Sequence, residues 1–131
     1  MSFTLPTVPR PLRYAGIVCL ALAVLLASIV DPGGGLPRTL LGIGFTTYLH
    51  VLAYAGLAAV SGYALASAER RTLLAVAALV TLYGAAIELL QGTIPYRTMA
   101  ASDAATNAVG AALGATLWWL VSPWFGIARG G

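Results

Sequence analysis

Four long apolar runs, separated by short polar or glycine-rich connections, constrain this chain more than any other feature of its sequence. The runs cover residues 14–30, 46–66, 72–90 and 103–121. Each is close to the roughly 20 apolar residues that an α-helix needs to cross the hydrocarbon core of a bilayer. The sequence therefore predicts an all-α fold, a four-helix transmembrane bundle.

Composition supports a membrane setting. Of the 131 residues, 60% are hydrophobic and 8% are charged, whereas soluble domains average about a quarter charged residues. A water-soluble fold of this size cannot cover so much apolar surface. The basic residues are all arginines scattered over loops and ends, which disfavours nucleic acid as a partner. The lone Cys19 forms no internal disulfide or metal motif, and we expect it to be a small core residue.

We expect one membrane domain between two short terminal segments: 1–13, 14–121 and 122–131. Pro6, Pro9 and Pro11 predict that the first segment is not helical. Ser102 is the predicted N-cap of the fourth span.

The distribution of arginines predicts the orientation. The side shared by the two termini and the middle connection carries Arg10, Arg13, Arg70, Arg71 and Arg129. The other side carries Arg38 and Arg97. By the positive-inside rule both termini are cytoplasmic, and the loops 31–45 and 91–101 face outward. An aromatic belt is expected at the cytoplasmic end of the last span, formed by Trp118, Trp119 and Trp124.

Polar residues gather at the outer ends of three spans. They are His50, Glu88, Gln91, Arg97, Asp103 and Asn107. Three pairs share a helix face because their members are three or four residues apart: His50 with Tyr54, Glu88 with Gln91, and Asp103 with Asn107. Gly110 and Gly114 extend the Asn107 face with small residues, so this face is predicted to pack closely on another helix.

A carboxylate at this depth is unfavourable unless a cation pairs with it. We therefore expect a Glu88–Arg97 or an Asp103–Arg97 ion pair. Each residue also has a purely structural interpretation, as an ion-pair partner, a helix-dipole charge or a hydrogen bond between helices. Tyr54 is expected to serve packing rather than chemistry.

Three functions remain open from the residues. In the first, the protein is a lipid-modifying enzyme in which Glu88 or Asp103 is the general acid or base and His50 assists. Arg97 and the N-terminal end of the fourth helix would then hold an anionic headgroup, with Gln91 and Asn107 as further ligand-binding residues.

In the second, the same site binds a lipid or other ligand without breaking a bond. In the third, the protein is a structural or accessory subunit whose polar cluster only fixes helix packing. A transporter has weaker support, because the spans carry one deep carboxylate and no discontinuous helix, and oligomerisation through exposed small residues is open. No cofactor or metal is expected, because the chain has one histidine, one cysteine and no His-Glu-x-x-His sequence. Serine-protease, lipid-phosphatase and small-multidrug-transporter patterns are also absent.

The order and spacing of these residues resemble the VanZ-like family of small membrane proteins. The shared pattern comprises His50 and Tyr54, Glu88-Leu89-Leu90-Gln91, Pro95-Tyr96-Arg97, Asp103, Asn107, Gly110 and Gly114. The resemblance covers roughly residues 32–118 and implies a multi-pass protein of the cell envelope.

The sequence departs from the family pattern at one pair of residues. Many members of the family carry Asp-Lys just before the histidine, whereas this chain has Thr46-Thr47. A role that needs that acid or amine is therefore not expected here. The family's namesake is associated with reduced susceptibility to teicoplanin, and the resemblance does not transfer that phenotype to this chain.

Overall fold

The computed structural model describes residues 4–30, 38–95 and 101–130. Four helices follow in chain order: α1 (Arg10–Ile29), α2 (Phe45–Leu65), α3 (Arg70–Gln91) and α4 (Ala101–Val121). A two-stranded antiparallel hairpin, β1 (Thr39–Leu40) and β2 (Ile43–Gly44), precedes α2, and a 3-10 turn (Ser122–Phe125) follows α4. All four helices are long and apolar enough to cross a membrane. The predicted all-α bundle is confirmed.

Two helix starts differ from the sequence prediction. α1 begins at Arg10, inside the segment expected to be non-helical, because Pro11 lies in the first turn, where a missing backbone N–H breaks no helical bond. Ser102 lies inside the first turn of α4 rather than capping it, and its carbonyl accepts a hydrogen bond from Thr106 Oγ1 at 2.9 Å.

The described part of the connection before α2 is an ordered hairpin. Leu41 and Gly42 have positive φ values of 52° and 79°, the combination that a two-residue hairpin turn requires. Tyr48 Oη donates to the Leu40 carbonyl at 3.0 Å. The hairpin is therefore tied to the first turns of α2, at the end of the bundle that carries His50.

Helix α4 packs most extensively on α2, through its two small residues. A Cβ atom on Gly110 would lie 2.8 Å from the Val51 carbonyl oxygen, and one on Gly114 would collide with the Ala55 carbonyl. The two backbones thus touch directly, as small residues four apart allow. α1 lies at the periphery with Val24 as its buried residue, so Cys19, expected in the core, is exposed.

The opposite end of the bundle is closed by aromatic side chains. Trp118 is 3% exposed, and its Nε1 donates to the Ser67 carbonyl at 2.8 Å. Its ring packs edge-on against Tyr63, with centroids 5.6 Å apart, and against Phe125. The belt prediction is therefore corrected for Trp118, whose indole finds a partner inside the protein, while Trp124 is largely exposed.

Both terminal segments run back over this same end. Leu5 N donates to the Trp124 carbonyl at 2.6 Å, and Gly130 N donates to the Ala68 carbonyl at 3.2 Å. Val8 N donates to Tyr63 Oη at 2.9 Å. The N-terminal segment, the α2–α3 connection and the C-terminal segment are thus joined by hydrogen bonds at one end of the bundle.

Replacing Gly114 with alanine tests the close contact of α2 and α4. We expect Gly114→Ala to lower the free energy of unfolding by about 1–3 kcal/mol, because the new methyl group overpacks against the α2 backbone. The matched control is Gly56→Ala, whose Cβ meets Leu20 Cδ2 at an ordinary 3.7 Å. Unfolding in detergent followed by circular dichroism measures both, and equal stability of the two variants would contradict the packing described.

Candidate functional site

Three helices bring polar side chains together at the hairpin end of the bundle. His50 lies near the start of α2, Glu88 in the last turns of α3, and Asn107 in the second turn of α4. The structure joins these three side chains into one hydrogen-bonded chain, which we call the polar chain. Its three members come from three different helices, so it exists only when the bundle is assembled.

The geometry of the polar chain defines the role of each atom. Asn107 Nδ2 donates to Glu88 Oε1 at 3.1 Å, and Asn107 Oδ1 lies 2.8 Å from His50 Nδ1. The amide nitrogen faces the carboxylate because a carboxylate oxygen can only accept, so Asn107 Oδ1 must accept from a protonated Nδ1. In the neutral imidazole the free lone pair is then on Nε2, where it can accept a proton.

Burial changes along the polar chain. Asn107 is 0% exposed and Glu88 is 4% exposed, whereas His50 is partly exposed. The polar chain therefore runs from a carboxylate inside the protein to an imidazole at its boundary. Such an arrangement can hold a proton at one end and exchange it at the other.

Asp103 lies beside this chain rather than in it. Its side chain is partly exposed. It is close enough to Glu88 for two negative charges at these positions to repel each other. The ion pairs expected with Arg97 lie outside the described residues, as does Arg97 itself. Within the described ranges, no group of three His, Cys, Asp or Glu side chains is placed to hold a metal ion.

Gln91 occupies a different position from the other polar residues. It is 6% exposed, and its Nε2 donates to the Ser28 carbonyl of α1 at 2.8 Å. This contact joins the end of α3 to the end of α1. The structure thus engages the Gln91 amide in a contact between helices, and the ligand-binding role of Gln91 stays a prediction.

Tyr54 and Gly84 shape the wall behind the polar chain. The rings of Tyr54 and His50 stack with centroids 6.3 Å apart and 19° between their planes. A Cβ atom on Gly84 would lie 2.8 Å from both Asn107 Nδ2 and Tyr54 Cε1. Sequence reasoning missed Gly84, although its position four residues before Glu88 places it on the same helix face.

Removing the central amide tests the polar chain. We expect Asn107→Leu to lower the free energy of unfolding by about 1–3 kcal/mol, because it leaves the buried Glu88 carboxylate and the His50 Nδ1–H without partners. Thr106→Ala is the control, since the Thr106 hydroxyl donates only to a carbonyl of its own helix.

Combining Asn107→Leu with Glu88→Leu shows whether the two side chains contribute to stability jointly or independently. Once Asn107 is leucine, removing the carboxylate should be less destabilising than in the wild-type protein. Unfolding titrations of the four proteins in one detergent measure this, and strictly additive losses would show that the two side chains are not coupled.

Comparison with known protein families identifies the family of this chain. The model of the VanZ/LLP1 family matches residues 37–122, a range that contains the polar chain and three of the four helices. No curated protein and no solved structure matches the chain. Since the match covers most of the sequence, this four-helix membrane protein belongs to the VanZ/LLP1 family.

Proposed function

We propose that the protein binds, and acts chemically on, an anionic lipid or other anionic envelope component at the outer face of the cell membrane. The observation that supports this most strongly is the polar chain from Glu88 through Asn107 to His50. It leaves Nε2 of His50 as a proton acceptor at the boundary of the bundle, with a buried carboxylate behind it. General acid–base chemistry uses such a pair.

The anionic character of the ligand is inferred from the cations at this end. Arg38 is exposed at the start of the hairpin, and the sequence places Arg97 in the connection between α3 and α4. The N-terminal end of α4 adds a positive dipole. Arginine side chains bind phosphate and carboxylate groups through paired hydrogen bonds, so a phosphate-bearing headgroup is the favoured partner.

The outward orientation rests on the arginine counts. Five arginines belong to the terminal segments and the connection between α2 and α3, and two belong to the other two connections in the sequence, which favours the cytoplasm for the end with five. Under this orientation the polar chain lies near the outer leaflet. Its ligands are then lipids or envelope intermediates that reach that leaflet.

The alternative is that the polar chain only fixes helix packing. The complete burial of Asn107 favours it, because an amide between two helices stabilises an assembled bundle by itself. The two functions differ in one measurable respect. If the polar chain only serves packing, added lipid does not change the nitrogen NMR signals of His50. If it binds a ligand, those signals change when the ligand is added.

The single histidine makes this difference directly measurable by nitrogen NMR of the detergent-solubilised protein labelled with ¹⁵N-histidine. We expect a neutral imidazole protonated at Nδ1, and we expect short-chain phosphatidylglycerol to shift its Nε2 signal while the matching phosphatidylcholine does not. Arg97→Gln should weaken the apparent affinity about fivefold, the loss expected for one arginine near a membrane surface.

The matched control is Arg71→Gln, which removes the same charge at the opposite end of the bundle and should leave the titration unchanged. If no anionic lipid changes the His50 spectrum of the folded protein, the packing role is favoured.

Catalysis is tested separately by mass spectrometry of the lipid pool. Turnover that survives both Glu88→Gln and Asp103→Asn would exclude these carboxylates as the acid and base.

A further inference from the structure

A groove lies between α3 and α4 at the other end of the bundle. Its volume is about 420 Å³, within the roughly 300–1,000 Å³ of small-molecule sites. The α3 wall uses positions with helical spacing, from Arg70 through Leu74 to Ala77, and the α4 wall runs from Ala112 to Trp119. One face of each helix therefore lines the groove along about two turns.

The groove is apolar along its length. Apart from Arg70 and Thr116, its lining consists of alanine, leucine and tryptophan side chains. Ala112 and Leu74 are exposed, so the groove opens sideways to the surroundings of the bundle. In a membrane those surroundings are hydrocarbon, and a flexible methylene chain is the occupant that fills such a slot.

Positive charge is concentrated at one end of the groove. Arg70, the first residue of α3, lines the groove itself. The guanidinium carbon of Arg129 lies 4.6 Å from the ring centroid of Trp119, which is part of the groove wall. The side chains at this end of the bundle include five arginines and one acid, Glu69, so this end of the bundle carries net positive charge.

We propose that this groove binds one acyl chain of an anionic glycerophospholipid, with its phosphate held between Arg70 and Arg129. The fit has two parts: methylene groups against the alanine and leucine walls, and a phosphate against two guanidinium groups, which recognise it through paired hydrogen bonds. Under the orientation proposed above, the lipid comes from the cytoplasmic leaflet, where anionic headgroups attract basic residues. This site is separate from the polar chain and does not depend on its function.

Native mass spectrometry of the purified wild-type protein tests the site, with dioleoyl-phosphatidylglycerol and dioleoyl-phosphatidylcholine as probes of identical chains. We expect retention of one phosphatidylglycerol in preference to phosphatidylcholine. Arg70→Gln should reduce that retention about fivefold. Arg71→Gln is the matched control, since it removes the same charge from the neighbouring residue, which does not line the groove, and should have little effect.

A steric variant tests the groove independently of charge. Ala112→Trp places a large ring in the slot from an exposed position and should abolish retention while circular dichroism shows an unchanged helix content. Photo-crosslinking with phosphatidylglycerol that carries a diazirine in its chain should label the α3–α4 walls of the wild-type protein and not those of Ala112→Trp.

Three results would overturn the proposal. Equal retention of the two lipids would show that the headgroup is not recognised, and equal losses in Arg70→Gln and Arg71→Gln would indicate diffuse attraction to the surface. A dimer that Ala112→Trp disrupts and that excess phosphatidylglycerol does not dissociate would show that a second copy of the chain occupies the groove.

Discussion

The direct contact between the backbones of α2 and α4 is the constraint on which the rest of the molecule depends. Gly110 and Gly114 let α4 approach α2 until no side chain separates them. Asn107 lies one turn before Gly110 on the same face, so this approach also brings its amide within reach of His50. One interface, between α2 and α4, therefore determines both the helix packing and the polar chain. Such close contact matters in a bilayer, where helices gain little free energy from hydrophobic association.

The sequence predicts the spans well because a run of about 20 apolar residues has few alternatives to a membrane helix. It also predicts that His50, Glu88 and Asn107 share one end, since connectivity alone requires it. The rotation of each helix is harder to predict, because spans that are apolar on all sides carry no amphipathic signal. For that reason the sequence does not predict that the Gln91 amide donates to the Ser28 carbonyl of α1.

The burial of aromatic residues near the span ends is also hard to predict from the sequence. A tryptophan near the end of a span suits the membrane interface and the protein interior equally well. Trp118 is buried inside the protein, where its Nε1 donates to the carbonyl of Ser67. The sequence does not single out Gly84, because the role of this glycine is to leave room for neighbouring side chains. The side chains that use this space, Asn107 and Tyr54, belong to other helices, and their approach cannot be read from the sequence around Gly84.

The peripheral position of α1 has a consequence for how the protein is assembled. The family match begins at residue 37, after this helix, and α1 is attached to α3 by two side chains that donate to its carbonyls, Tyr83 to Ala21 and Gln91 to Ser28. Ser28 lies in the last turn of α1, where backbone carbonyls have no partner within the helix, so the Gln91 amide satisfies one of them. Without α1 the Gln91 amide would lose this acceptor and face hydrocarbon one turn from Glu88.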